Sequence, residues 1–243
     1  MPTTTRIALV TGASSGIGEA VAHRLAAEGH HVVAAARRTD RLAALAARTA
    51  DLPGTVEPAA LDVTDRAAVA ALVDRTVAEH GRLDVLVNNA GVMPLSRLDA
   101  LLTDEWDRMI DVNVRGLLHG IAAALPHMLR RERGHVVTVA SVGAHQVSPT
   151  AAVYCATKYA ARAVTEGLRL EAPPGIRVTT VSPGVVETEL ATTITDPVAR
   201  EAMRAYRAHA IPPEAVADAV AYAIGQPDGV DVNEIVVRPV QQR

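Results

Sequence analysis

The 243-residue sequence contains no phenylalanine, one tryptophan and one cysteine, so its core has to be built from Ala, Val, Leu and Ile rather than from stacked rings. Cys155 has no internal partner, which excludes an intramolecular disulfide and a multi-thiolate zinc site and agrees with a reducing compartment. Positive charge is not in excess either. With 24 Lys and Arg against 27 Asp and Glu the formal net charge is -3, and the chain has no surplus to neutralise the phosphates of a nucleic acid or an anionic membrane surface. No stretch approaches the ~20 apolar residues that span a bilayer. The first residues, with only the short run Ile7 to Val10, lack the apolar region of a signal peptide. The expectation is a cytoplasmic protein with neither a nucleic-acid nor a membrane partner.

Two further scarcities carry more information. Among the 24 basic residues there is a single lysine, Lys158, beside 23 arginines, and there are only four asparagines: Asn88, Asn89, Asn113 and Asn233. Where a cation merely has to be present this sequence uses Arg, so the exception marks a place that calls for a compact ammonium.

What is present is 49% hydrophobic side chains and 21% charged ones, over a length that single α/β domains commonly reach. Apolar, β-branched runs alternate with longer Ala/Leu-rich stretches of helical length. The predicted strands are Ile7 to Val10, Val32 to Ala36, Val56 to Leu61, Val85 to Val87, His135 to Ala140, Val178 to Val181 and Ile235 to Val237. That alternation argues βαβ units and a parallel sheet covered on both faces, and no repeat or linker divides the chain. One doubly wound α/β domain over residues 1–243 is expected.

Directly after the first run comes Thr11-Gly12-Ala13-Ser14-Ser15-Gly16-Ile17-Gly18, followed by a helical pattern. Glycines there let the chain turn tightly and bring backbone N–H groups and a helix N-terminus to a pyrophosphate, although G-x-x-x-G-x-G departs from the G-x-G-x-x-G dinucleotide fingerprint. The other reading is a strand-to-helix turn with three packing glycines. The second run ends at Ala36, where an NAD site would present a carboxylate to the ribose 2′-hydroxyl. Here Arg37 and Arg38 follow, a pair suited to a 2′-phosphate or simply solvated. Asp62, at the end of the third run, could accept a hydrogen bond from an adenine amino group or cap its own turn.

Tyr154 and Lys158 stand four apart, which on a helix puts phenol and ammonium on one face. A lone lysine placed at random would follow one of four tyrosines by four about 2% of the time. A nearby positive charge favours phenolate and is expected to lower the Tyr154 pKa towards the working range of an acid–base group. Ser141 ends the run His135 to Ala140, at the carboxyl end of a strand, where a hydroxyl could bond a substrate carbonyl or cap a turn. Asn113 falls on an apolar stripe with Met109 and Leu117, in a helical pattern that runs from Trp106 to Ile121. It is either a core amide satisfied by backbone or a holder of a relay water for Lys158. Asn88-Asn89-Ala90-Gly91 likewise puts small polar residues at a strand end, with an Asx turn as the alternative.

Taken together, the glycine turn, Asn88-Asn89-Ala90-Gly91, Asn113, Ser141, Tyr154, Lys158 and Pro183-Gly184 with Thr188 resemble the short-chain dehydrogenase/reductase family. The likeness extends from about Ile7 to the C-terminus. Gly29 to Val33, Arg37-Arg38 and the segment Val232 to Pro239 are similar to the NADP-dependent branch that includes 3-hydroxy acid dehydrogenases and clavulanate dehydrogenase. The resemblance implies a Rossmann-type sheet of about seven parallel strands, with a cofactor part to about residue 140 and a catalytic and substrate part beyond it. It implies NADP(H) held by Gly12, Ser14, Ser15, Gly16, Ile17, Gly18, Arg37, Arg38, Asp62, Val63, Asn89, Ala90 and Gly91. Tyr154, Lys158, Pro183, Gly184 and Thr188 would complete that set. Asn113, Ser141, Tyr154 and Lys158 would be catalytic, in hydride transfer between nicotinamide and a small-molecule carbonyl or alcohol, and no metal is implied.

Ser141 is followed by Val142-Gly143-Ala144 where the family more often has Ala-Gly, a departure that touches no catalytic position. A cofactor-binding sensor or scaffold without turnover is the alternative, against which an intact Ser141, Tyr154 and Lys158 speaks. An epimerase or dehydratase acting on a nucleotide sugar would need more than the 55 residues that follow Thr188. Residues 189 to 210 would form a substrate lid, with Arg200, Arg204 and Arg207 on one helical face, solvated or attracting an anionic substrate. The small residues Ala151, Ala152, Ala156, Ala160, Ala161 and Ala163 would allow close helix packing in a homo-oligomer, a tetramer or a dimer.

Overall fold

The structure is a computed structural model that describes residues 5–242. All seven apolar runs become strands: β1 (Ile7–Thr11), β2 (His31–Ala36), β3 (Thr55–Ala60), β4 (Val85–Asn88), β5 (Gly134–Val139), β6 (Ile176–Pro183) and β7 (Glu234–Val237). They pair in parallel throughout, in the order β3-β2-β1-β4-β5-β6-β7. The helices between them are α1 (Gly16–Ala27), α2 (Thr39–Arg48), α3 (Arg66–His80), α4 (Thr103–Ile110), α5 (Gly116–Arg130), α6 (Ala152–Glu171), α7 (Pro197–Tyr206) and α8 (Pro213–Gly225).

Successive strand residues point to opposite faces, and each face has its own helices. Ala8, Val10, Val32 and Ala34 pack with Val21 and Leu25 of α1 and Val216, Val220 and Ile224 of α8. Leu9, Val33, Leu86 and Val136 meet Val69 and Val73 of α3, Ala124 and Met128 of α5 and Leu168 of α6. Each such aliphatic side chain, fully buried, contributes about 1.5–3 kcal/mol, so a core without phenylalanine is assembled from many medium-sized contributions. Strands buried on both faces explain why their sequences read as continuous apolar runs.

Local signals set the helix ends. Asp65 Oδ1 accepts from the Ala68 N–H at 3.0 Å to start α3, and Gly81, at φ 75°, closes it. Asp196 does the same for α7 through the Ala199 N–H, with Pro197 as its first residue. One expectation is corrected here. The pattern from Trp106 to Ile121 reads as one regular helix, whereas a π-helical turn, Asp111–Arg115, joins α4 to α5. Asn113 sits in that turn and bonds a neighbouring loop, which accounts for the extra residue per turn. Among the described residues no helix is long and apolar enough to cross a membrane.

Candidate active site

The strand order reverses between β1 and β4, and a cleft of about 780 Å³ opens along the carboxyl ends of the strands at that point. Its walls are the segments that follow β1 to β6. At one end β1 runs through the glycine turn into α1. Gly12 has φ +68°, and a Cβ there would lie 2.8 Å from the Ala90 Cα, so the turn requires glycine for its conformation and for its contact with the β4 loop. Thr11 and Asn89 fasten that contact. Thr11 Oγ1 donates to the Val87 carbonyl at 3.2 Å and accepts from the N–H groups of Asn89 and Ala90, while Asn89 Nδ2 donates to the Thr11 carbonyl at 2.9 Å. Gly12, Ser14, Ser15, Gly16 and Ile17 line the cleft with Asn89, Ala90 and Gly91. Gly18 does not. A Cβ there would come within 2.4 Å of the Gly12 carbonyl, so this glycine serves the packing of α1 against the turn.

Beyond β2 the two arginines separate in role. Arg38 Nε donates to Ser14 Oγ at 3.2 Å and its other nitrogens to Ser15 Oγ at 2.7 Å and to Glu189 at 2.8 Å. Arg37 also lines the cleft, near Asp62. The guanidinium held over the glycine turn is thus that of Arg38. Asp62 makes the turn it could cap: its Oδ1 accepts from the Thr64 N–H at 3.0 Å and hydroxyl at 2.8 Å, and the backbone bond first of all holds its carboxyl below the usual range. It lines the cleft together with Val63. Free helix N–H groups, two guanidiniums and two serine hydroxyls in one groove form a donor set that fits a phosphorylated dinucleotide.

At the other end Ser141, Tyr154 and Lys158 converge on the cleft with Pro183, Gly184 and Thr188. Ser141 leaves β5 in extended conformation, and its Oγ accepts from the Gly143 N–H at 3.0 Å. Tyr154 and Lys158 lie on one face of α6, with the Lys158 Nζ 5.9 Å from the Tyr154 ring centre and donating to the Val139 carbonyl at 3.0 Å. Both side chains are buried, and burial disfavours both charged forms. It pushes the Tyr154 phenol up to about 12, against the opposing contact with Ser141, and holds the Lys158 ammonium down to about 8. The expected lowering of the Tyr154 pKa is therefore not a property of this arrangement by itself, because loss of solvent outweighs the hydrogen bond with Ser141.

Asn113 lies behind these groups and off the cleft. Its Oδ1 accepts from the Val92 N–H at 2.8 Å and its Nδ2 donates to the Val92 carbonyl and to Thr157 Oγ1, at 2.9 and 3.1 Å. The backbone-satisfied reading describes its side chain. Between Asn113 and Lys158 a small space of about 10 Å³ also touches Asn88, whose Nδ2 is buried without a partner among the described residues. That is about the room one water needs.

Thr157 and Glu189 were not singled out by the sequence, and Thr11 was read only as the first residue of the glycine turn, with no role of its own. Thr157 lies inside the Tyr154–Lys158 spacing and Glu189 is the acid that begins the segment after Thr188; position beside a motif is the only signal either carries. The lid arginines do not act as one face. Arg200 bonds the Ile194 carbonyl and Arg204 pairs with Glu201, whereas Arg207 donates to the Thr188 carbonyl at 2.9 Å and reaches the cleft.

Residues 6–199 match the family model of the short chain dehydrogenases. An uncharacterised oxidoreductase of Staphylococcus saprophyticus is 44% identical over 240 residues, 98% of this chain and 97% of that one. Among solved structures, an alcohol dehydrogenase from the archaeon Thermococcus sibiricus complexed with 5-hydroxy-NADP is 30% identical with a TM-score of 0.88, over 99% of both chains. The closed form of a serine dehydrogenase complexed with NADP+ is 33% identical with a TM-score of 0.89, over 98% of this chain and 96% of that one.

Proposed function

Because this chain belongs to the short-chain dehydrogenase/reductase family, we propose that its cleft binds NADP(H) and interconverts a small-molecule carbonyl compound and its alcohol. The observation that carries this reading is the convergence of Ser141, Tyr154 and Lys158 on one end of a cleft whose other end holds the glycine turn, Ser14, Arg37 and Arg38. The NADP in the Thermococcus sibiricus and serine dehydrogenase structures supports the same cofactor here. Gly12 to Ile17, Asn89 to Gly91 and the strand-end residues Pro183, Gly184 and Thr188 would hold it, and when bound the reduced nicotinamide supplies hydride to the carbonyl carbon.

The protein supplies the proton and the alignment. Ser141 donates a hydrogen bond to the carbonyl oxygen and fixes its distance from Tyr154. Tyr154 protonates that oxygen as negative charge develops on it, and its upward pKa keeps it loaded with a proton at neutral pH. In the oxidative direction Tyr154 must accept a proton, and the ammonium of Lys158 is the charge that favours its phenolate. Asn113 holds the Val92 loop and, with the space beside Lys158, a water that returns the proton from solvent. The single buried cysteine agrees with a cytoplasmic enzyme.

The reading is tested by following loss of NADPH absorbance with a panel of hydroxy-acid semialdehydes, β-ketoacyl thioesters and bicyclic β-lactam aldehydes. Turnover of at least one class is expected. NADPH binding without turnover across the panel would make the protein a sensor instead.

A further inference from the structure

At the opposite end of the sheet three side chains with metal-ligating chemistry meet. His31 is the first residue of β2, Glu57 lies in β3, and His80 is the last residue of α3. In the register of β2 against β3, His31 pairs with Thr55 and Val33 with Glu57, which puts His31 and Glu57 on the sheet face that α3 covers. His31 Nε2 stands 3.2 Å and His80 Nε2 3.4 Å from the same oxygen, Glu57 Oε2. One ligand atom from each residue lies within 4.8 Å of the others. Five residues of strand, roughly 16 Å, separate His31 from the cleft end of β2.

We propose that His31, Glu57 and His80 form a site for a divalent cation of the zinc class, which ties the edge strand β3 to β2 and to the end of α3. A tetrahedral metal at ~2.0–2.1 Å from its ligands spaces them about 3.3 Å apart, and the two observed separations fall on either side of that value. The donor set, two imidazoles and one carboxylate, is one that zinc takes with water as the fourth ligand. Two of the three ligands already have orienting partners. His31 Nδ1 is hydrogen-bonded to Thr55 Oγ1, which leaves Nε2 to face the metal, and Glu57 Oε1 accepts from Arg75 at 3.3 Å, which leaves Oε2 for it. Arg75 is in turn 4.0 Å from Glu79, so its charge is partly balanced. The two imidazole centres are 4.1 Å apart, and a shared metal would spread them by about 1 Å, a movement open to the partly exposed His80.

The experiment uses untagged full-length protein, freed of metal by a chelator and titrated calorimetrically with zinc chloride. One equivalent should bind per chain. His80→Gln and Glu57→Gln, each made separately, should weaken binding by at least about 100-fold, because loss of a ligand exceeds the cost of losing an orienting partner. Both variants should keep NADPH affinity, as they lie outside the cleft. In the parent, free zinc about 100-fold above its dissociation constant should raise Tm by roughly 5–10 °C. Absence of saturable binding in the parent would overturn the proposal. So would one equivalent bound with undiminished affinity in both variants, since the three side chains would then be a hydrogen-bonded cluster and the metal would sit elsewhere.

Discussion

Burying a lysine costs stability, and among the described residues Lys158 offsets it with a single hydrogen bond, to the Val139 carbonyl. With its ammonium held down to about 8 in the fold, the unfolded chain binds more protons between about pH 8 and the ordinary lysine value of 10.5. Stability therefore rises with pH across that window, and below it the full penalty, about 3 kcal/mol, is present. Tyr154 acts with the opposite sign at higher pH: between about 10 and 12 the fold retains a proton that the unfolded chain has lost, and stability falls. Lys158→Met keeps Tyr154 and removes only the first effect. Its Tm at pH 7 should exceed that of the parent by the equivalent of about 1–3 kcal/mol, and the gap should close towards pH 10. A Tm at or below that of the parent at pH 7 would show that the buried ammonium is not the cost it is taken to be.

Tyr154 and Lys158 were legible because a lone lysine among 23 arginines, one helical turn from a tyrosine, is a compositional anomaly. The burial of Asn113 was legible from its apolar stripe. Its partners Val92 and Thr157 were not, being 21 and 44 residues away, and neither was the pairing of Arg38 with Glu189 across 151 residues.

β1, β2, β4, β5 and β6 could be read because strands covered on both faces are written as apolar runs, and the half-exposed edge strands β3 and β7 from shorter apolar segments, whereas the π-helical turn at Asp111–Arg115 leaves no such signature. The turn between β2 and α2 reads as basic, and the sequence puts Arg37, next to Ala36, beside the 2′-position without saying which arginine bends back over the glycine turn. Arg38 does, through Ser14 and Ser15. Each charge-assisted bond to a 2′-phosphate contributes about 1.5–3 kcal/mol, or roughly 10- to 150-fold in affinity. Ala36→Asp combined with Arg38→Ala, which introduces a carboxylate and removes that guanidinium, should reverse the proposed preference for NADPH over NADH or nearly abolish it. The measurement is kcat/KM for both cofactors. An undiminished NADPH preference in the double variant would remove Arg38 from phosphate recognition.

Ile110 at the end of α4, Leu118 on α5 and Tyr159 on α6 are each at least 40% exposed, with Ala156 and Ala163 exposed beside Tyr159. We read the outer faces of these helices as the two-fold contact of a homo-oligomer, a tetramer or a dimer, since small and apolar residues on neighbouring helices permit close packing. Light scattering at micromolar concentration should give a multiple of the 25.5 kDa chain mass, and Leu118→Glu with Tyr159→Glu should lower it. A monomeric mass for the active parent would contradict this. The fold brings residues from β1 to the segment after β6 to one cleft, and the reaction proposed for it depends on a single phenol. Tyr154→Phe is therefore the sharpest variant, measured as kcat/KM for carbonyl reduction alongside NADPH affinity on the same sample. Loss of the general acid should lower kcat/KM by about 10²–10⁴ while the dissociation constant for NADPH stays unchanged. A loss of only a few-fold would mean that another group delivers the proton.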